Sequence, residues 1–220
     1  MSSQFIVTTP VSTEPIALSD AKAYMRVDFP DDDALISQLI SRVRSLAETY
    51  THRAMSTQTI ECEYAIDRPV GGELSGTINR GPNWYQFQQQ LGANPFGAVQ
   101  FYFVLPMPPA QGDASTLTVV TKVTAFQPWV TFPYTLNPDG STNMYLDTIQ
   151  EPARLYVMDP ITANFYRFTY SAGYSPSYPV PPDLLQPMYE SINYFYDNRE
   201  AQDLPQALVT KFLSKRVDWI

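Results

Sequence analysis

The chain has 220 residues, a formal net charge of −8 and a sequence pI near 4.5. That balance argues against free nucleic-acid binding, which needs a basic footprint to release counterions. A single cysteine, Cys62, and a single histidine, His52, exclude an intramolecular disulfide framework and a His-rich metal site.

The N-terminal MSSQFIVTTP lacks a charged region followed by a long apolar run. No stretch reaches the about eighteen apolar residues of a membrane span. The expectation is a soluble protein made in a cytoplasm. Aromatic residues make up 14% of the chain and there are 20 prolines, concentrated between residues 60 and 190. Such a middle is rich in β-formers and strand punctuation and poor in helical period.

In chain order, Phe5 to Pro10 reads as extended. Leu18-Ser19-Asp20 opens a short helix with Ser19 as the N-cap, stopping near Val27 before the turn Asp28-Phe29-Pro30-Asp31. From Asp31 to Arg53 the apolar residues Leu35, Ile36, Leu39, Ile40, Val43, Leu46, Ala47 and Tyr50 recur at spacings that place them on one face of a long helix. Its aspartates stand at the positive end of the helix dipole, and Arg42, Arg44 and Arg53 towards the negative end. A wide apolar face of this kind needs a partner.

From Met55 the period changes. Segments 57–66, 99–106, 117–126, 129–134, 144–147, 153–158 and 164–170 read as short strands, with an Asn137-Pro138-Asp139-Gly140-Ser141 turn among them. Residues 71–94 are rich in Gly, Asn and Gln and read as a flexible excursion. After Tyr178-Pro179-Val180-Pro181-Pro182, helical spacing returns through Leu185, Met188, Tyr189, Ile192, Phe195 and Tyr196. A last helix follows Leu204-Pro205. The order α, β, α predicts an α+β fold. Residues 1–56 and 181–220 form a helical bundle, and residues 57–180 an inserted antiparallel β-domain, a small sandwich or open barrel.

Catalytic chemistry is sparse. His52 at a helix end reads as a surface or capping residue rather than a general base. Cys62 in a strand reads as a small buried hydrophobe. Asp31, Asp32 and Asp33 lack the alternate spacing of a calcium loop. Glu61 and Glu63 share a strand face, which is more often solvated than an acid pair. No phosphate-binding glycine loop or zinc spacing appears. Neither a cofactor nor a metal is expected, and the chain reads as a non-enzyme. Trp84, Tyr85, Phe87, Trp129, Phe132 and Tyr134 leave open an alternative, a carbohydrate-binding or receptor-recognising particle component. The terminal Trp219-Ile220 either folds back onto the core or anchors in another chain.

The run LSDAKAYMRVDFPDDDALISQLISRVRSLAETYTHRAM, Leu18 to Met55, resembles the opening of tailed-phage head–tail connector (head-completion adaptor) proteins and of gene-transfer-agent adaptors. Leu105-Pro106-Met107-Pro108-Pro109, Phe168 to Tyr174, Val180 to Leu185, Tyr196 to Glu200 and Leu204-Pro205 continue the likeness in order. The insert from about Gly71 to Asn94 departs from it. The resemblance implies a structural virion protein, made in the host bacterial cytoplasm. It would assemble as a ring, usually of twelve copies, beneath the portal protein at the capsid vertex.

Such a ring would extend the channel through which genomic DNA passes without sequence-specific binding. It would also give a tail, stopper or tail-terminator protein its docking surface, with no membrane involved. An acidic surface suits a channel that must not grip DNA. Carried onto this sequence, the portal-binding segment is Leu208 to Ile220. Its apolar anchors are Phe212, Leu213 and Trp219, its charged partners Lys211, Lys215 and Arg216, and Leu208 and Ile220 are its first and last candidate residues. The polar face of the long helix, with Arg42, Arg44 and Glu48, is a candidate for contacts between subunits or is simply a solvated face.

Overall fold

The computed structural model describes residues 4–65, 101–136, 142–157 and 163–218. The excursion expected at 71–94 therefore lies outside the described residues, as do the turn at 137–141 and the terminal Trp219 and Ile220. The architecture is α+β. Two hydrophobic cores, one between helices and one between sheets, meet at a polar junction.

The helical core is built on α2, Asp33–Thr51. Its buried residues Ile36, Leu39, Ile40, Val43 and Ala47 follow the expected stripe, and Leu35, Leu46 and Tyr50 flank it half-buried. Helix α1, Leu18–Met25, contributes Ala21. Helix α3, Pro182–Asp197, contributes Leu184, Met188, Ile192 and Phe195, and α4, Gln206–Leu213, contributes Phe212. The N- and C-terminal helices are thus one another's partners, as their apolar faces require.

The cap of α1 differs from the expectation. Asp20 N and Ala21 N both donate to the Ala17 carbonyl at 3.1 Å, so Ala17 is the N-cap and Ser19 lies inside the first turn. The aspartates at the start of α2 also do more than face the dipole. Asp33 pairs with Lys22 of α1, while Asp32 accepts from the Tyr196 hydroxyl at 2.7 Å and from Arg199 at 3.2 Å. Both draw neighbouring helices onto the α2 N-terminus.

The β-region holds two antiparallel sheets. The five-stranded sheet runs β1 (Gln4–Thr9), β2 (Gln58–Ala65), β8 (Phe165–Ala172), β4 (Thr118–Lys122), β5 (Val130–Thr131). The three-stranded sheet runs β3 (Phe101–Val104), β7 (Arg154–Val157), β6 (Met144–Asp147). Strict alternation along β8 buries Tyr166, Phe168, Tyr170 and Ala172. Between the sheets Phe103 packs 4.7 Å from Phe168 and 5.0 Å from Tyr166, ring centre to ring centre. Buried tyrosines satisfy their hydroxyls on backbone carbonyls, Tyr170 on Pro106 at 2.5 Å and Tyr166 on Ala163 at 3.1 Å.

Each segment read as a strand forms one, and residues 4–9 add another. That strand pairs with β2 through Gln4↔Glu63 to Val7↔Ile60. Within the segment 1–56 expected in the bundle, the extended and largely β-branched residues 4–9 pair with the sheet.

Candidate assembly surfaces

The residues expected at subunit contacts are largely engaged within the chain. Arg42 donates to the Ala201 carbonyl at 3.2 Å and to that of Gln202, and its guanidinium lies 3.8 Å over the Phe195 ring. It fastens the α3–α4 connection to α2. Arg44 pairs with Glu14 at 2.8 Å and with Glu48 at 3.0 Å, holding the segment before α1 against the helix. Glu48 also accepts from Met55 N at 3.1 Å. Burial pushes its carboxyl above the usual range, and Arg44 opposes the shift. Within the chain, this helix face holds neighbouring segments against α2.

The C-terminal segment divides in two. Phe212 has no exposed surface within the chain and stacks on Tyr50 at 6.2 Å between centroids. Its ring faces α2 because α4 crosses the bundle with that side inward. Leu213, 40% exposed, turns outward, and Leu208 packs half-buried against the helical core. The cations carry partners: Lys211 with Glu190 and Lys215 with Asp183, each at 2.5 Å, and Arg216 with Asp218 at 2.8 Å. The lysine bonds hold the carboxyls of Asp183 and Glu190 below the usual range.

One group missed in the sequence joins the two cores. Arg53 leaves α2 just after His52, which takes the left-handed C-cap position at φ 56°. Its Nε donates to the Lys215 carbonyl at 3.0 Å, and one terminal nitrogen reaches Glu151 Oε2 at 2.6 Å. The same nitrogen stands 3.5 Å from the Tyr174 hydroxyl. One guanidinium thus ties the end of α2, the segment after α4, the β6–β7 loop and the strand exit. Beside it, Thr57 Oγ1 donates to the Tyr174 carbonyl at 3.0 Å, and Val217 N to the Thr51 carbonyl at 2.9 Å. Gly173, at φ 104°, passes so close to the Ser56 carbonyl that a Cβ would sit 2.0 Å from it. An arginine after a helix was the only hint in the sequence, and nothing there pointed to Glu151.

Polar chemistry elsewhere is structural. Glu61 and Glu63 both face Arg167, at 3.5 Å for Glu61 Oε1 and 2.8 Å for the Arg167 Nε–Glu63 bond. Trp129 covers that guanidinium at 4.5 Å and Lys122 at 4.3 Å, so its ring is engaged within the chain. Trp84, Tyr85 and Phe87 lie outside the described residues. Cys62 is fully buried and its thiol is pushed far up by desolvation. Among the described residues no cluster of His, Cys, Asp and Glu is placed to hold a metal ion, and no helix is long and apolar enough to cross a membrane.

With this geometry in view, residues 15–72 match the family model described as phage gp6-like head-tail connector protein. The resemblance to head–tail connector proteins is thereby borne out, and on that ground the chain is structural rather than enzymatic.

Among solved structures, the fold is similar to a chain of the neck of an empty GTA particle computed with C6 symmetry. The TM-score is 0.58 at 14% identity, over 99% of this chain and 97% of that one. A chain of the virion of the native gene transfer agent particle gives 0.56 at 14% identity, over 98% and 96%. One from the neck of a native GTA particle computed with C12 symmetry gives 0.51 at 15% identity, over 98% and 97%. No curated protein matches.

Proposed function

We propose that this protein is a head–tail connector subunit of a phage-like particle. In that role it assembles as a ring of twelve beneath the portal protein, lengthens the DNA channel and presents a docking surface to a tail or stopper protein. The observation carrying this reading is the end-to-end fold likeness to neck chains, joined to the connector-family match over α1, α2 and β2. The C12 and C6 symmetries named for those neck chains support a ring of copies.

The Arg42 and Arg44 contacts tie loops to α2, and Arg53 ties the bundle to the β-domain; contacts of this kind suit a part whose copies must meet in one orientation. The net charge of −8 suits a lumen past which DNA slides. At the portal-facing end we place Leu208, Leu213, Lys211, Lys215 and Arg216, continuing into Trp219 and Ile220. Phe212, buried against Tyr50, is left out of that surface. The particle vertex is the corresponding location.

Negative-stain imaging with mass determination, on the pure protein and after mixing with the portal encoded near it, tests the reading. Rings of about twelve, alone or on the portal, are expected for a closed cyclic assembly. A monomer indifferent to the portal would overturn the connector role while leaving the fold intact.

A further inference from the structure

Consecutive residues after α2 enter different cores, Ala54 the one between the sheets and Met55 the one between the helices. The main chain is held on both sides of this point. His52 N donates to the Glu48 carbonyl at 2.9 Å, and Ala54 N to the Pro108 carbonyl at 3.0 Å. From that fixed base the Arg53 side chain reaches two segments far away in sequence. Its Nε holds the Lys215 carbonyl and a terminal nitrogen holds Glu151. The Arg53 side chain is 14% exposed and that of Glu151 33%, so water and salt screen this pair less than a surface bridge. Lys215 is also anchored through its ammonium to Asp183, and two residues on Val217 N donates to the Thr51 carbonyl at 2.9 Å. Residues 215–217 thus lie along the end of α2, with Arg53 as their link to the β6–β7 loop.

A guanidinium is planar, and its N–H groups are fixed relative to one another. The carbonyl that holds Nε therefore aims the terminal nitrogen at Glu151, and the carboxylate in turn aims Nε at the carbonyl. Losing either acceptor returns rotamer freedom to the whole side chain and weakens the bond that remains. We propose that Arg53 is a positioning residue that couples the C-terminal segment to the β6–β7 loop. Docking of residues 215–217 on α2 and seating of Glu151 on Arg53 favour one another. Such a coupling is reciprocal. A partner that lifts the segment from α2 loosens the loop, and one that holds the loop steadies the segment. The inference rests on the connector reading for the identity of the segment's partner, the portal, and on contacts within the chain for the coupling itself. A subunit built in this way carries contact at its bundle end to its β-domain.

The test is a double-mutant cycle read by amide hydrogen exchange of Val217 in the isolated full chain. Glu151→Ala is made in the wild type and in Arg53→Lys, which keeps the charge without the rigid fork. In the wild type it should speed Val217 exchange by at least about fivefold, and in Arg53→Lys it should leave the rate where it was. The amide of Val43, buried in the middle of α2, reports on the bundle as a whole and should change by a smaller factor. An equal factor for Val217 in both backgrounds, or a change at Val43 as large as that at Val217, would overturn the proposal while the connector reading stands. Absence of rings with and without the portal would instead remove the connector reading, and the exchange cycle would still decide the coupling.

Discussion

The helical bundle and the β-domain hold themselves together in different ways. In the bundle, four short apolar stripes meet in one core, and arginines on α2 then stitch loops down over the seam. In the β-domain the core is aromatic, with ring-to-ring contacts and tyrosine hydroxyls reaching backbone carbonyls. The bundle's fasteners are mostly charged, whereas the β-domain adds neutral, buried tyrosine bonds to a charged cluster of Glu61, Glu63 and Arg167 on one face. The lesson is that salt and pH should act on the first more than on the second.

The strongest way to break this comparison is to attack what joins its halves. Gly173→Ala places a Cβ against the Ser56 carbonyl at a φ that side chains rarely adopt. The clash and the strain together should cost roughly 4 kcal/mol, read as a lowered denaturation midpoint by both far-UV and near-UV signals. A melt within a degree of wild type would mean that the junction yields.

Phe212→Ala and Phe168→Ala empty one core each and should cost about 3–5 kcal/mol apiece. With Arg53 and Gly173 coupling the halves, calorimetry should show one cooperative transition in both variants. Two separated transitions would show that the regions unfold independently.

Arg42→Ala removes two charge-assisted hydrogen bonds and the contact with Phe195. A loss of about 2 kcal/mol is expected, with faster exchange confined to the α3–α4 connection.

The smallest effect separates the two regions by pH. Asp183 and Glu190 have carboxyls held low by Lys215 and Lys211. Their contribution is therefore present above the unfolded carboxyl pKa of about 4 and is lost as pH falls through the lower folded values. Both ion pairs are exposed, so the loss is a few tenths of a kcal/mol each, on the order of other surface pairs. Lys211→Gln with Lys215→Gln should flatten stability between about pH 5 and pH 3. An equally steep acid loss in the double variant would place the sensitivity elsewhere.

Much of the bundle was legible because its information is local. The spacing from Ile36 to Ala47 names a buried face before any partner is known, and Met188, Ile192 and Phe195 name the matching one, although the spacing starts that stripe at Leu185 where the structure buries Leu184. Strand positions were legible from alternation, most clearly in β8. Their arrangement was not, because β2 finds β8 across a hundred residues and β1 finds β2 across fifty. Alternation names a face but no neighbour.

For the assembly surfaces, a basic and apolar C-terminal run looks the same whether its residues face inward or outward. The helical phase of α4 puts Phe212 inside and leaves Leu213 outside. Polar residues on α2 read as a free face, and only the return of Ala201, Gln202 and Glu14 to that helix reveals a seam.

By itself, then, the sequence determined the α+β class, the helices and their buried stripes, the strand positions and the likeness to head–tail connectors. All of these follow from periodicity and from residue order along the chain. The tertiary structure alone decided that residues 4–9 form the end strand of the described five-stranded sheet, that Arg53 joins the two cores and that Phe212 is buried in the bundle. Each depends on which distant segment arrives beside it, and contacts between distant segments leave no mark in local spacing.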